Sequence, residues 1–597
     1  MRRAEYRASA VPGEGDTGVE AARLLALRAH PVTVERPGQA RGIGASLSPN
    51  TSTTLSSGTD CGADSDGGRI GTSARHDGHV ARVDWPEALA VAVVLAMFAV
   101  AGGAMIARGA PFGFDEAVYG LRLRDITEGG IRGFYWATVR APGLPILLAP
   151  TAWLGATDQA IRAGALAFAV AGIGLTWLEA RLLFDRATAI TAVVLLALSP
   201  GWLESAWQTL PDIPGTTLVL AAVVVLTLAT RHDRMRWWAV AVAPIAAVAT
   251  AVRYGTPLLL GPALVAVMAV RWRVAIRSPV VLTLTTLLTA GAVAAVWLIP
   301  QVTGSRRPPV LIFLGRQVAK AVPMLDSALD FASKIPVLVG PIVGAAFVVG
   351  IVAALVAARR RQVAAAPVIA CLAVAVTCFG LLLVGVAVYS LRYLTPALPF
   401  LAIAAGAGLA WAGARVPGRT VVTVATVAAV AGGALVAFRT AEVSVQRLEH
   451  RYGPTRTAAI DLATVAPDSC YVLSPLPQQT QWYSRCGASY IPVLPIGDGR
   501  THQTGISDPQ LMADRLHGLF RTRLAAHGIL EDAPVYVMLK RGSRARPRGE
   551  ARALLVDLAR WQAAAADGRR PVTIWYLGSA GELAERVETI TPPGEYQ

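Results

Sequence analysis

The sequence predicts a polytopic α-helical membrane protein with about eleven transmembrane helices and a C-terminal extracytoplasmic α/β domain. Three observations predict it. Of 597 residues, 54% are hydrophobic and 16% charged, and mean hydropathy is +0.49, too apolar for a soluble chain of this length. Apolar runs of roughly 16 to 24 residues recur between positions 86 and 438, each long enough to cross a bilayer. After Phe438 the pattern changes to short strand-like runs alternating with amphipathic ones.

Residues 1–84 are polar and rich in Ser, Thr and Gly ("SLSPNTSTTLSSGTDCGADSDGG"), the composition of a disordered tail. No short apolar core follows the initial "MRRAEYR", so the start does not read as a signal peptide. The spans fall near 86–108, 161–183, 188–206, 214–230, 237–252, 256–271, 279–300, 336–358, 365–388, 394–413 and 420–438, giving a membrane domain over 85–438. The segment "PGLPILLAPTAWLG" (142–155) is apolar but short and proline-rich.

Arginine decides the topology. With an inside N-terminus, "FDRAT", "RHDRMR", "RWRVAIRS", "ARRRQ" and "GARVPGRT" all become short cytoplasmic loops carrying arginine, as the positive-inside rule requires. Counting 142–155 as a span would send most of them outside, so it reads as re-entrant or interfacial. "GFDEAVYGLR" (113–122), "SAWQTLPDIPGTT" (205–217), the loop 301–335 and the domain 439–597 then face out. The expected location is the plasma membrane, with multiple passes.

The C-terminal domain offers strands in "SCYVLSP", "ASYIPVLP", "APVYVMLK" and "PVTIWYLGS", and helical patterns at 455–466, 508–527 and 549–566. Cys470 would begin one strand and Cys486 precede the next, a candidate disulfide in an oxidising compartment.

The net charge of +16 does not make a nucleic-acid binder, because the arginines sit in the tail, loops and C-terminal segment without stacking aromatics. Between Trp85 and Arg439 the one histidine is His232, which argues against a histidine dyad or zinc site in the membrane. Ionisable groups are scarce along the spans, which counts against a lipid-linked saccharide transporter, the alternative reading.

Carboxylates collect instead on the outer face: Asp115, Glu116, Asp125, Glu128, Asp158, Glu204, Asp212, Asp326 and Asp330. Asp115 and Asp212 each precede a helical stretch, so each could also be an ordinary helix cap. Cations join them from "GSRRPPVLIFLGRQVAK" (Arg306, Arg307, Arg316, Lys320), "VRYGTP" (Arg253) and "SLRYLTPALPF" (Arg392, Tyr393). These could equally be interfacial anchors or lipid-surface contacts. As a set, a carboxylate base and phosphate-binding cations suit sugar transfer from a polyprenyl phosphate to an acceptor hydroxyl. A glycoside hydrolase would need two carboxylates flanking the bond.

The motifs "FDEAVYG", "LEARLLFDRATAITAVVLLALSPGWLESAWQTLPDIP" and "LRYLTPALPFLAI", in this order and sidedness, resemble the C-type superfamily of membrane glycosyltransferases over roughly 86–440. The branch is that of the protein O-mannosyltransferases and aminoarabinose transferases. The resemblance implies a polyprenyl-phosphate-linked sugar (mannose or arabinose-like) as donor, and a protein, lipid or glycan acceptor. It implies Asp115 as base, an acidic counterpart at Asp212, and Arg392 on the phosphate; Glu116 and Asp212 are expected to orient the acceptor or a divalent metal. The chain departs from the pattern at "RAPGLP" (Arg140, Pro142), where many relatives carry a His-Pro-Pro-type motif.

Overall fold

The computed structural model describes residues 85–128, 141–155, 157–298, 335–383, 391–416, 419–466, 470–490, 493–495, 503–505, 511–512, 516, 532–540, 553, 555, 561–565, 572–580 and 582–583. The tail 1–84, Arg140, Arg306, Arg307, Arg316 and Lys320 lie outside them, as does most of the expected helix 508–527.

Every regular element among the described residues of the membrane part is a helix. In chain order the helices are α1 (Trp85–Ala107), α2 (Phe114–Glu128), α3 (Gly143–Leu148), α4 (Asp158–Leu183), α5 (Arg186–Ala197), α6 (Pro200–Ala206) and α7 (Asp212–Ala229). There follow α8 (Val242–Val252), α9 (Pro257–Val270), α10 (Trp272–Ile276), α11 (Pro279–Leu298), α12 (Pro341–Arg359), α13 (Ala365–Leu383), α14 (Leu398–Gly413) and α15 (Arg419–Val465). Among the described residues seven helices are long and apolar enough to cross a membrane, and α5 with α6 makes an eighth if the bent pair is one span. Shorter apolar helices cover Trp237–Val252, Pro257–Val270 and Ala365–Gly380, each on an expected span.

Two expectations about these helices change. The run 188–206 is not one straight span: α5 and α6 meet at 65°. Pro200 opens α6 and forces Ser199 into an extended conformation, so the first helix cannot continue. The domain boundary expected at 438/439 falls inside α15, a 47-residue helix that runs on to Val465. Hydropathy drops after Phe438, but the following residues keep helical spacing, so composition changes where structure does not.

The segment 142–155 is a helical turn pair, α3 followed by a 3₁₀ helix over Ala149–Leu154. Its rise of about 20 Å falls short of a ~30 Å hydrocarbon core, in keeping with a re-entrant reading. Gly143 lets it press on the end of α8, where a Cβ would come 2.5 Å from the Ala251 carbonyl carbon. Deeper in the bundle, α14 lies against α12 through small residues. A Cβ on Gly408 would sit 1.8 Å from the Gly350 carbonyl oxygen, so the backbones themselves touch.

The C-terminal part is a five-stranded mixed sheet in the order β2-β1-β5-β7-β6. Here β1 is Tyr471–Ser474, β2 Gly487–Tyr490, β3 Val493–Pro495, β4 Gln503–Gly505, β5 Pro534–Lys540, β6 Trp561–Ala565 and β7 Val572–Ser579. β1 pairs in parallel with β2 and β5, whereas β7 runs antiparallel to β5 and β6. A separate hairpin joins β3 and β4. The helical pattern expected at 549–566 ends in an edge strand instead, because "WQAAA" pairs with β7, and the ladder overrides alanine's helix preference. Between β1 and β2 lies α16 (Pro477–Ser484), and a Cys470–Cys486 disulfide closes the segment that contains it.

Candidate active site

The site is assembled at the end of the bundle where α2 and α7 begin and α8 ends. Asp115 lies in the first turn of α2, and Asp212 is the first residue of α7. Neither is the cap residue itself: Pro211 holds that position for α7 and makes no side-chain cap bond. Both carboxylates sit at the N-terminal end of a helix, where the backbone N–H groups point towards them.

Each carboxylate faces an arginine distant in sequence. Arg392 Nη1 lies 2.9 Å from Asp115 Oδ2, with side chains 31% and 16% exposed. Arg253 Nη1 lies 2.9 Å from Asp212 Oδ1, and Asp212 is buried. The aromatic ring of Tyr393 joins the two pairs. Its centroid is 4.7 Å from the Arg253 guanidinium carbon and 5.3 Å from that of Arg392. Two polar atoms here lack hydrogen bonds: Arg392 Nε, a buried donor, and Asp212 Oδ1, whose contact with Arg253 is an ion pair outside hydrogen-bond geometry. Unpaired buried donors are uncommon, and a guanidinium with a spare N–H is suited to an anionic oxygen.

Glu116 is placed otherwise than expected. It is buried and accepts from Arg162 Nε (3.0 Å) and Thr209 N (2.9 Å) at one oxygen, and from Arg162 Nη2 (2.9 Å) and Gly113 N (2.8 Å) at the other. Both oxygens are occupied, so none is left for an acceptor or a metal. The bond back to Gly113 is the reciprocal half of a capping box. Glu116 therefore fixes α2 to α4 and to the turn before α7.

Arg162 was not singled out by its sequence context. It is 1% exposed in its side chain, donates to the Ala110 and Pro111 carbonyls as well, and lies between the rings of Phe112 and Trp207. One signal was available: an arginine inside an apolar run demands a buried acid. Breaking such a pair leaves a bare buried charge, so Glu116→Gln or Arg162→Met should each destabilise by about 3–5 kcal/mol. The double variant Glu116→Gln/Arg162→Met should cost less than the sum of the single changes. Thermal unfolding of the three proteins in lipid nanodiscs measures this, and strict additivity would contradict the assignment.

The C-terminal part reaches the same end of the bundle through α16. Trp482 packs on Phe112, and Arg124 lies 4.0 Å over the Trp482 ring. Trp482 Nε1 and Tyr483 Oη donate to the two oxygens of Asp158, each at 2.6 Å. Burial first, and then Asp158, push the Tyr483 hydroxyl well above the usual tyrosine range, so it stays protonated. Among the described residues no group of three or more His, Cys, Asp or Glu side chains gathers as metal ligands would.

The apolar helices, with acidic helix starts and arginines gathered at one end, define a polytopic membrane protein. Residues 139–299 match the family model for dolichyl-phosphate-mannose-protein mannosyltransferase. That stretch carries Asp158, Arg162, Asp212 and Arg253. The fold is similar to ArnT from Cupriavidus metallidurans bound to undecaprenyl phosphate, with a TM-score of 0.56 and 16% identity over 83% of this chain and 98% of that one. The apo state of the same protein matches with a TM-score of 0.54, 16% identity and the same coverage. No curated protein sequence matches the chain.

Proposed function

We propose that the chain transfers a sugar from a polyprenyl-phosphate donor to an acceptor hydroxyl on the extracytoplasmic membrane face. The observation that carries this reading is the pair of carboxylate–arginine contacts joined by Tyr393, which brings residues 115, 212, 253 and 392 to one point. The matched family and the similar fold, one example of which holds undecaprenyl phosphate, support the same reading.

In this scheme Arg392 and Arg253 receive the donor phosphate, with Tyr393 holding both guanidiniums in place. Arg306, Arg307, Arg316 and Lys320 are proposed to extend the cationic surface. As the phosphate draws Arg392 away, Asp115 is released to take the proton of the acceptor hydroxyl. The acceptor oxygen forms its bond to the anomeric carbon while the bond from that carbon to the phosphate oxygen breaks. Its electron pair leaves on the polyprenyl phosphate, whose charge the arginines already balance, so a general acid is unnecessary. Asp212 orients Arg253 and the acceptor. With a single base and direct displacement, the anomeric configuration inverts. The donor sugar is mannose or an arabinose-like pentose.

Binding tests the donor side without turnover. Undecaprenyl phosphate should bind the purified protein in nanodiscs at least tenfold more tightly than undecaprenol, because the arginines read the phosphate. Equal binding of the two lipids would remove the phosphate from the scheme.

A further inference from the structure

We infer that Asp158, acting through Trp482 and Tyr483 of α16, is a positioning residue for the reaction proposed above and sets the placement of the helix that carries Asp115. The proposal rests on that functional reading for its catalytic consequence, but its structural content can be measured separately.

Asp158 opens α4 directly after its cap, Thr157, and both its oxygens are taken by the C-terminal domain. The Tyr483 hydroxyl that donates to Asp158 also accepts the backbone N–H of Phe112 at 2.8 Å. That N–H lies just ahead of the first helical turn of α2 and would otherwise be an unpaired donor in a buried position. The Phe112 ring is fully buried and 5.2 Å from the Trp482 ring. Asp115 follows Phe112 by three residues. Asp158 and Arg162 are one turn apart on α4, so a single helix grips the start of α2 twice: directly through Glu116, and indirectly through the C-terminal domain. The Cys470–Cys486 disulfide closes the chain around α16 and so limits the freedom of Trp482 and Tyr483.

A carboxylate must reach its proton within a few tenths of an ångström, and misplacement by about 1 Å can cost about 100-fold in rate. A slack tie at Phe112 should therefore lower kcat without weakening donor affinity, since Arg392 is held less firmly by a displaced Asp115. Neither Asp158 nor Tyr483 needs to touch substrate for this.

The test uses full-length Tyr483→Phe and Asp158→Asn in nanodiscs, selected for monodispersity, with two readouts. Hydrogen exchange of the peptide covering 112–118 should accelerate at least tenfold in both variants, with no change in the peptide covering the start of α7. Turnover of a polyprenyl-phosphate sugar should show kcat lowered about tenfold with undecaprenyl phosphate bound no more weakly than by wild type. Asp158→Glu should recover part of the rate. Unchanged exchange at 112–118 would overturn the inference whether or not any donor is turned over. Faster exchange with unchanged kcat would also overturn it, reducing the tie to fold maintenance. If the wild type turns over no donor, the functional reading fails, and the exchange result alone decides whether Asp158 places α2.

Discussion

Asp115→Asn should lower transfer by about 1,000-fold in kcat while strengthening the binding of polyprenyl phosphate. The two effects have a common origin. Asparagine keeps the shape of the side chain but cannot take a proton at neutral pH, so the base is lost. It also removes the charge that holds Arg392 at 2.9 Å. A donor phosphate would then meet an arginine no longer engaged by a carboxylate, and competition for that cation disappears. Steady-state kinetics and direct binding of undecaprenyl phosphate to the same preparation measure both quantities. If kcat and affinity fall together, Asp115 is holding the site together, and the base must be sought at Asp212.

The second large effect belongs to Arg392. Arg392→Ala should weaken the binding of undecaprenyl phosphate by about 100-fold, the usual scale for deleting one partner of a half-buried charge contact. Arg392→Lys should fall between alanine and wild type. Lysine restores the charge but not the planar fork, and here the fork contacts Asp115, stacks by Tyr393 and still has Nε to offer. Equal affinity for the lysine variant and wild type would show that only net charge matters, which would assign Arg392 a general electrostatic role.

The sequence discloses the membrane fold well because two strong physical signals agree. Bilayer thickness sets the length of apolar runs, and arginine marks their ends, so most expected spans coincide with helices. What composition cannot show is where a helix bends or continues. Ser199-Pro200 breaks an apolar run without interrupting its hydropathy, and α15 continues through a change of hydropathy without a break. The strand at Trp561–Ala565 is decided by its partner β7, which lies outside any local window.

The site was legible in part for a related reason. Asp115, Asp212, Arg253, Arg392 and Tyr393 stand out as charged or aromatic residues at membrane boundaries, and the fold brings them together. Glu116 stands out equally, yet it is consumed by Arg162. Adjacent residues on a helix point about 100° apart, so a carboxylate pair in sequence is not a pair in space. The contribution of Trp482 and Tyr483 could not be read, since the contact between a C-terminal helix and the start of α4 depends on tertiary docking alone.

The most direct test of the central claim is release of polyprenyl phosphate from synthetic polyprenyl-phosphate mannose and its aminoarabinose counterpart, using wild-type protein in nanodiscs. With water serving as the acceptor oxygen, time-dependent release is expected from one of these donors, abolished by Asp115→Asn and slowed by Arg392→Ala. No release from either donor, by a folded protein that binds undecaprenyl phosphate, would contradict a transferase and favour a protein that carries the lipid without cleaving it.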